Sequence, residues 1–148
     1  MDRPTRDEHE KILRVLVPKL ENIAYCYVFF SVVFGMKIFV NSLLTQGIQI
    51  GIFDIMFIML GIVMGSKYFS SIADIKRGDY LVDRGLCDKT LSNNKRAIFT
   101  DFKTGHTGKY VLCTSKKEKN SKHLSGRESL LYRAIPGIRG HYFVVIKD

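Results

Sequence analysis

A chain of 148 residues with a formal net charge of +9 has room for one globular domain of ordinary size. Its hydrophobic fraction of 46% is that of a soluble protein, but the apolar residues are concentrated in the first half, which leaves about 80 residues to build a core elsewhere. Three cysteines, Cys26, Cys87 and Cys113, are odd in number and lack metal-type spacing, which argues against a disulfide framework.

Residues 1–22 carry five basic and five acidic groups. Thr5 followed by Glu8 fits a capping box, so a helix is predicted to begin there. Ile12, Leu13, Leu16 and Leu20 recur at helical spacing with charged residues around them, which predicts an amphipathic segment lying on a membrane face. Pro18 is predicted to kink this helix or to end it.

Residues 23–44 and 48–66 are almost wholly apolar, and each run is near the roughly 20 residues that cross a hydrocarbon layer. Only Thr45, Gln46 and Gly47 separate them, which predicts a transmembrane helical hairpin, since lipid offers no partners for the amides of an open loop. The first run is too long, and starts too late, for a cleaved signal peptide. Basic residues flank the pair on both outer sides and are missing from the turn, which predicts an inner-membrane or plasma-membrane protein with both termini cytoplasmic.

Charges inside a span are costly and are usually paired. Lys37 lies eight residues before Thr45 and Asp54 seven after Gly47, so in antiparallel helices both sit roughly 10 to 12 Å below the turn. They are predicted to form an intramembrane ion pair that sets the hairpin register, in preference to an ion or proton relay. Ser31 with Gly35, and Gly61 with Gly65, are four apart and predict grooves for close helix contact, either within the hairpin or between copies of the chain.

After Ser66 the apolar runs become short, alternating and separated by turn residues. Residues 80–83, 97–102, 109–114, 129–134 and 142–147 read as strands rich in Val, Ile, Tyr and Phe, with Gly78, Gly85, Gly105, Gly108, Pro136, Gly137 and Gly140 between or beside them. Five short strands suit a small closed barrel, which removes exposed edges. The predicted organisation is therefore an amphipathic segment over 1–22, a transmembrane hairpin over 23–66 and a basic cytosolic β-barrel over 67–148, a membrane α + β class. This layout resembles that of bacterial membrane proteins carrying a small SH3-like or OB-like barrel after two spans.

Residues 71–148 hold sixteen Lys and Arg against eight Asp and Glu, so the positive charge belongs to the barrel. The best binding candidate is the run of Lys116, Lys117, Lys119, Lys122 and Arg127 with His123, suited to anionic lipid headgroups or another anionic surface; a solvated hairpin loop is the plainer reading. Tyr80, Phe99, Tyr110 and Tyr142 are of the type that stacks nucleic-acid bases, and equally of the type a small β core requires.

Gly105, His106, Thr107, Gly108 and Lys109 imitate the end of a phosphate-cradling loop. Lys103 stands where its first Gly belongs and Tyr110 replaces its Ser or Thr, so a turn is predicted. His106, His123 and His141 with Cys87 and Cys113 lack paired ligand spacing, and no carboxylate pair is apparent, so no catalytic group, metal or cofactor is expected. The expected function is a non-enzymatic binding or scaffold protein whose barrel engages a protein partner, a second copy of the chain or an anionic surface. The alternative is a sensor of an anionic nucleotide-type ligand, as in the two-span barrel effectors of bacterial defence that the layout resembles.

Overall fold

The computed structural model describes residues 2–45, 47, 50–91, 96–114, 124, 126–133 and 142–147. Two long helices, α1 (Arg6–Thr45) and α2 (Ile52–Arg77), precede five strands: β1 (Val82–Leu91), β2 (Arg96–Asp101), β3 (Thr107–Cys113), β4 (Arg127–Arg133) and β5 (Tyr142–Ile146). The chain forms two compact units. One is residues Leu20–Ser70; the other joins Met1–Lys19 to Ser71–Asp148.

In the first unit α1 ends at Thr45 and α2 begins at Ile52, while Gln46 and residues 48–49 of the expected turn and second run lie outside the described residues. Asp54 sets the start of α2. Its carboxylate accepts the Gly51 amide at 3.3 Å, and its own amide donates to the Gly51 carbonyl at 3.0 Å, which caps α2 at Ile52. Both helices are long and apolar enough to cross a membrane, and only 6% and 22% of their most apolar stretches are buried. Phe29, Phe39, Leu43, Ile52 and Phe53 are among the many large apolar side chains that face outward.

In the second unit the strands close into a barrel in the order β1-β2-β3-β5-β4. Neighbours are antiparallel except β3 and β5, which run parallel because β4 lies between them in sequence. This strand order is a Greek-key closure of a five-stranded barrel. Inside lie Cys87, Ala97, Phe99, Leu112, Leu124, Leu131, Val144 and Ile146. The strands match four of the five predicted spans to within two residues. β1 differs, because Gly85 is no turn: a Cβ there would meet the Thr100 carbonyl and the Phe99 ring, so the missing side chain lets β1 pass close to β2. A bulge between Cys87 and Lys89 carries β1 further round the barrel.

On β4 and β5 the outward side chains are buried as well, notably Leu130, Tyr132, Phe143 and Val145. Residues 6–19 and 71–77 of the helices belong to the same unit, and their Ile12, Val15, Leu16, Ile72 and Ile75 are buried there. Ile12 and Leu16 of the apolar stripe expected to rest on a membrane are thus buried in protein. Lys19 fastens this segment, its Nζ donating to the Leu112 carbonyl at 3.1 Å and lying 5.8 Å from the Phe143 ring centroid. Pro18 does not end the helix; α1 runs through it. α2 stops at Gly78, whose φ of 78° suits a left-handed cap closed by the Gly78 and Asp79 amides.

Candidate functional site

The densest polar cluster among the described residues joins the amino-terminal segment to the barrel. It starts from the capping box: the Thr5 amide donates to Glu8 Oε2 at 2.8 Å, and the Glu8 amide to Thr5 Oγ1 at 3.4 Å. This geometry turns the Glu8 carboxylate inward, where its side chain is 1% exposed. Arg84 on β1 meets it in a two-pronged contact, Nε to Oε1 at 2.9 Å and Nη2 to Oε2 at 2.8 Å. Lys147 Nζ stands 3.5 Å from Glu8 Oε1 and 3.5 Å from Glu128 Oε2. The Arg84 hydrogen bonds, ahead of the opposing effect of burial, pull the Glu8 carboxyl down to about 2.

Arg84 reaches further along the same segment. Its Nη2 donates to the Arg3 carbonyl at 3.2 Å and its Nη1 lies 3.4 Å from Asp2 Oδ2. Asp2 is also held by Lys103, 2.7 Å from Oδ2 and 2.8 Å from Oδ1, which lowers its pKa. Lys103 is aimed by the turn between β2 and β3. There the Asp101 carboxylate accepts the Lys103 amide and the Thr104 hydroxyl, and Gly105 closes the loop onto the Asp101 carbonyl. The motif that imitates a phosphate-cradling loop is this hairpin turn.

Backbone pairing completes the cluster. Asp2 and Val82 exchange two hydrogen bonds, both 2.9 Å, as an isolated antiparallel bridge. Three cations, Arg84, Lys103 and Lys147, therefore face three carboxylates, Asp2, Glu8 and Glu128. The cap is legible in the sequence, whereas these partners are far from it along the chain.

Of the residues singled out beforehand, Lys116, Lys117, Lys119, Lys122 and His123 lie outside the described residues, as does His141. Arg127 opens β4, opposite Cys87. Phe99 and Tyr80 are 1% and 8% exposed and belong to the packing, so neither offers a face to a base. Tyr110 and Tyr142 are partly buried, with ring centroids 5.6 Å apart. The Arg133 guanidinium lies 5.3 Å from the Tyr142 centroid, and its buried Nε has no hydrogen-bond partner among the described residues. Cys87 and Cys113 are buried, and burial pushes the Cys113 thiol up to about 11. Among the described residues no three His, Cys, Asp or Glu side chains gather as a metal site.

In the helical unit Lys37 Nζ lies 2.7 Å from Asp54 Oδ1; the lysine side chain is 53% exposed and the aspartate 9%. The small residues divide. Ser31 donates to the Ile58 carbonyl at 3.1 Å, and a Cβ on Gly61 would collide with Ser31 Oγ and the Tyr27 carbonyl. Gly65 sits against Val28, with 3.2 Å available for a Cβ. Gly35 has nothing within 4 Å, so its missing side chain makes no room for α2. Beside this contact, Tyr27, Phe30, Phe34, Phe57 and Leu60 line an apolar groove of about 390 Å³.

The chain matches no protein-family model, no curated protein and no solved structure.

Proposed function

We propose that this chain is a membrane-anchored, non-enzymatic binding protein: the apolar hairpin spans an inner or plasma membrane, both termini are cytoplasmic, and the basic barrel engages a protein partner as part of a membrane complex. The observation that carries the reading is the outward apolar surface of α1 and α2, of which 6% and 22% of the most apolar stretches are buried. Core helices of a soluble protein would bury most of it, and water would oppose such exposure by roughly 25 cal/mol for each Å². Lipid removes that cost. The excess of cations in residues 71–148 supports an acidic partner, with anionic headgroups as further contacts.

Three measurements test it. The protein should remain in membranes through alkaline carbonate, and a tag beside Gln46 should escape a reagent confined to the cytosol. Crosslinking in native membranes followed by mass spectrometry should then enrich the same partner, or a second copy, repeatedly. Extraction by carbonate refutes the anchor; a lone chain after crosslinking refutes the complex.

A second reading makes the barrel a sensor of an anionic nucleotide-type ligand. It is favoured by Arg133, whose guanidinium lies against the Tyr142 ring, a cation and an aromatic face together of the kind that suits a planar anionic ligand. Thermal shift of the full chain in detergent against a nucleotide panel decides it; no stabilisation by any of them removes the reading.

A further inference from the structure

The start of β1 has an open edge. β2 reaches only to Asp101, which lies opposite Gly85, so among the described residues no strand continues beside Val82, Asp83 and Arg84 on that side. The Arg84 carbonyl takes the Phe102 amide, and Val82 exchanges both of its hydrogen bonds with Asp2. Above this bridge the Asp2 carboxylate rests between Lys103 and Arg84. An extended segment that adds backbone bonds to a sheet edge and places a side chain in a complementary pocket is the general scheme of strand addition. Here the chain performs it on itself.

The two halves of this contact are held very differently. Glu8 is 1% exposed and doubly bonded to Arg84, whereas Asp2 is 45% and Lys103 61% exposed. Exposed pairs are weak and exchange with solvent and with competing ions, while a buried charge pair does not. Asp2 can therefore leave without disturbing Glu8. We propose that this edge is a docking site for an extended acidic segment of a protein partner, occupied by Asp2 and Arg3 until that segment displaces them. The inference rests on the reading of the barrel as a protein-binding module and names what the module takes. A phosphate would satisfy Lys103 and Arg84 but has no strand backbone to pair with both the Val82 amide and the Val82 carbonyl; a peptide supplies the donor and the acceptor together.

The test uses the full chain in detergent and hydrogen exchange at Val82. Asp2→Lys should raise the exchange rate of the Val82 amide at least tenfold while Val144 and Val145 stay protected, which shows an intact barrel. Lys103→Glu, with Asp2 retained, should do the same by repulsion. Millimolar acetyl-Met-Asp-Arg-Pro-Thr amide should restore protection to the Asp2→Lys protein, and the same peptide with Lys in place of Asp should not. Failure of the Asp-bearing peptide to restore protection, or equal restoration by inorganic phosphate, overturns the proposal. Because no cellular partner enters this measurement, its outcome is independent of the crosslinking test of the complex.

Discussion

Replacing Glu8 by Gln should cost the barrel unit about 2 to 3 kcal/mol at neutral pH and remove most of a specific acid sensitivity. A carboxyl lowered from its ordinary 4.5 to about 2 is stabilised in the folded state by about 3 kcal/mol. Its folded value lies below its unfolded value, so this contribution is complete above roughly pH 5 and disappears as the pH falls toward 2. Gln keeps the shape and an acceptor for the Thr5 amide but presents no charge to Arg84 and Lys147. Ala also removes the cap, for about 1 kcal/mol more. In a unit of this size each kcal/mol is worth roughly 4 to 8 °C, which predicts a fall of about 10 to 20 °C for Gln.

The assay is thermal unfolding of the full chain in mild detergent, followed by near-ultraviolet dichroism of tyrosines at pH 7, 5, 4 and 3. Asp2 and Asp101 also have lowered pKa values and contribute acid sensitivity of their own, so the informative quantity is the wild type minus the variant. That difference should be largest at pH 7 and shrink steadily below pH 5. A variant whose midpoint runs parallel to the wild type at every pH would falsify the assignment of Glu8 as the buried anchor.

Three further outcomes follow from the helical unit and the thiols. Lys37→Met and Asp54→Asn should each destabilise the hairpin, by roughly 1 to 3 kcal/mol, and the double variant by less than their sum; strict additivity in a double-mutant cycle would mean that the 2.7 Å contact is not formed. Gly61→Ala should cost at least roughly 1 kcal/mol through collision with Ser31 and the Tyr27 carbonyl, whereas Gly35→Ala should be neutral or stabilising by up to about 1 kcal/mol, as denaturant titration in micelles can measure. A maleimide added to the native protein in detergent at pH 8 should leave Cys87 and Cys113 unlabelled, since both are buried; intact-mass detection of two or three adducts would contradict that burial.

What could be read from the chain followed interaction range. The apolar runs, the capping box and four strands are set by neighbours a few positions away, and they stand close to where pattern placed them. The β3 to β5 pairing and the long β1 depend on distant partners. Gly85 looks like a turn residue until Phe99 and Thr100 are seen beside it. Asp54 was legible as a partner for Lys37 but not as the cap that starts α2, because the neighbouring glycines leave either end point open to local reasoning.

The cluster around Arg84 was missed for a reason that also shows where the signal lay. Arg84 is 76 positions from Glu8, so nothing local links them. Yet Glu8, Ile12, Val15 and Lys19 are spaced four, three and four apart, which puts both charges on the same stripe as the buried aliphatic residues. A helix resting on lipid would turn such charges toward the headgroups; one buried in protein must give each a partner. Glu8 finds Arg84 and Lys19 finds the Leu112 carbonyl, at opposite ends of one apolar stripe. Charges bracketing an aliphatic stripe at helical spacing therefore favour docking against a polar-edged sheet over adsorption to a membrane, and the distinction follows from counting residues around the helix.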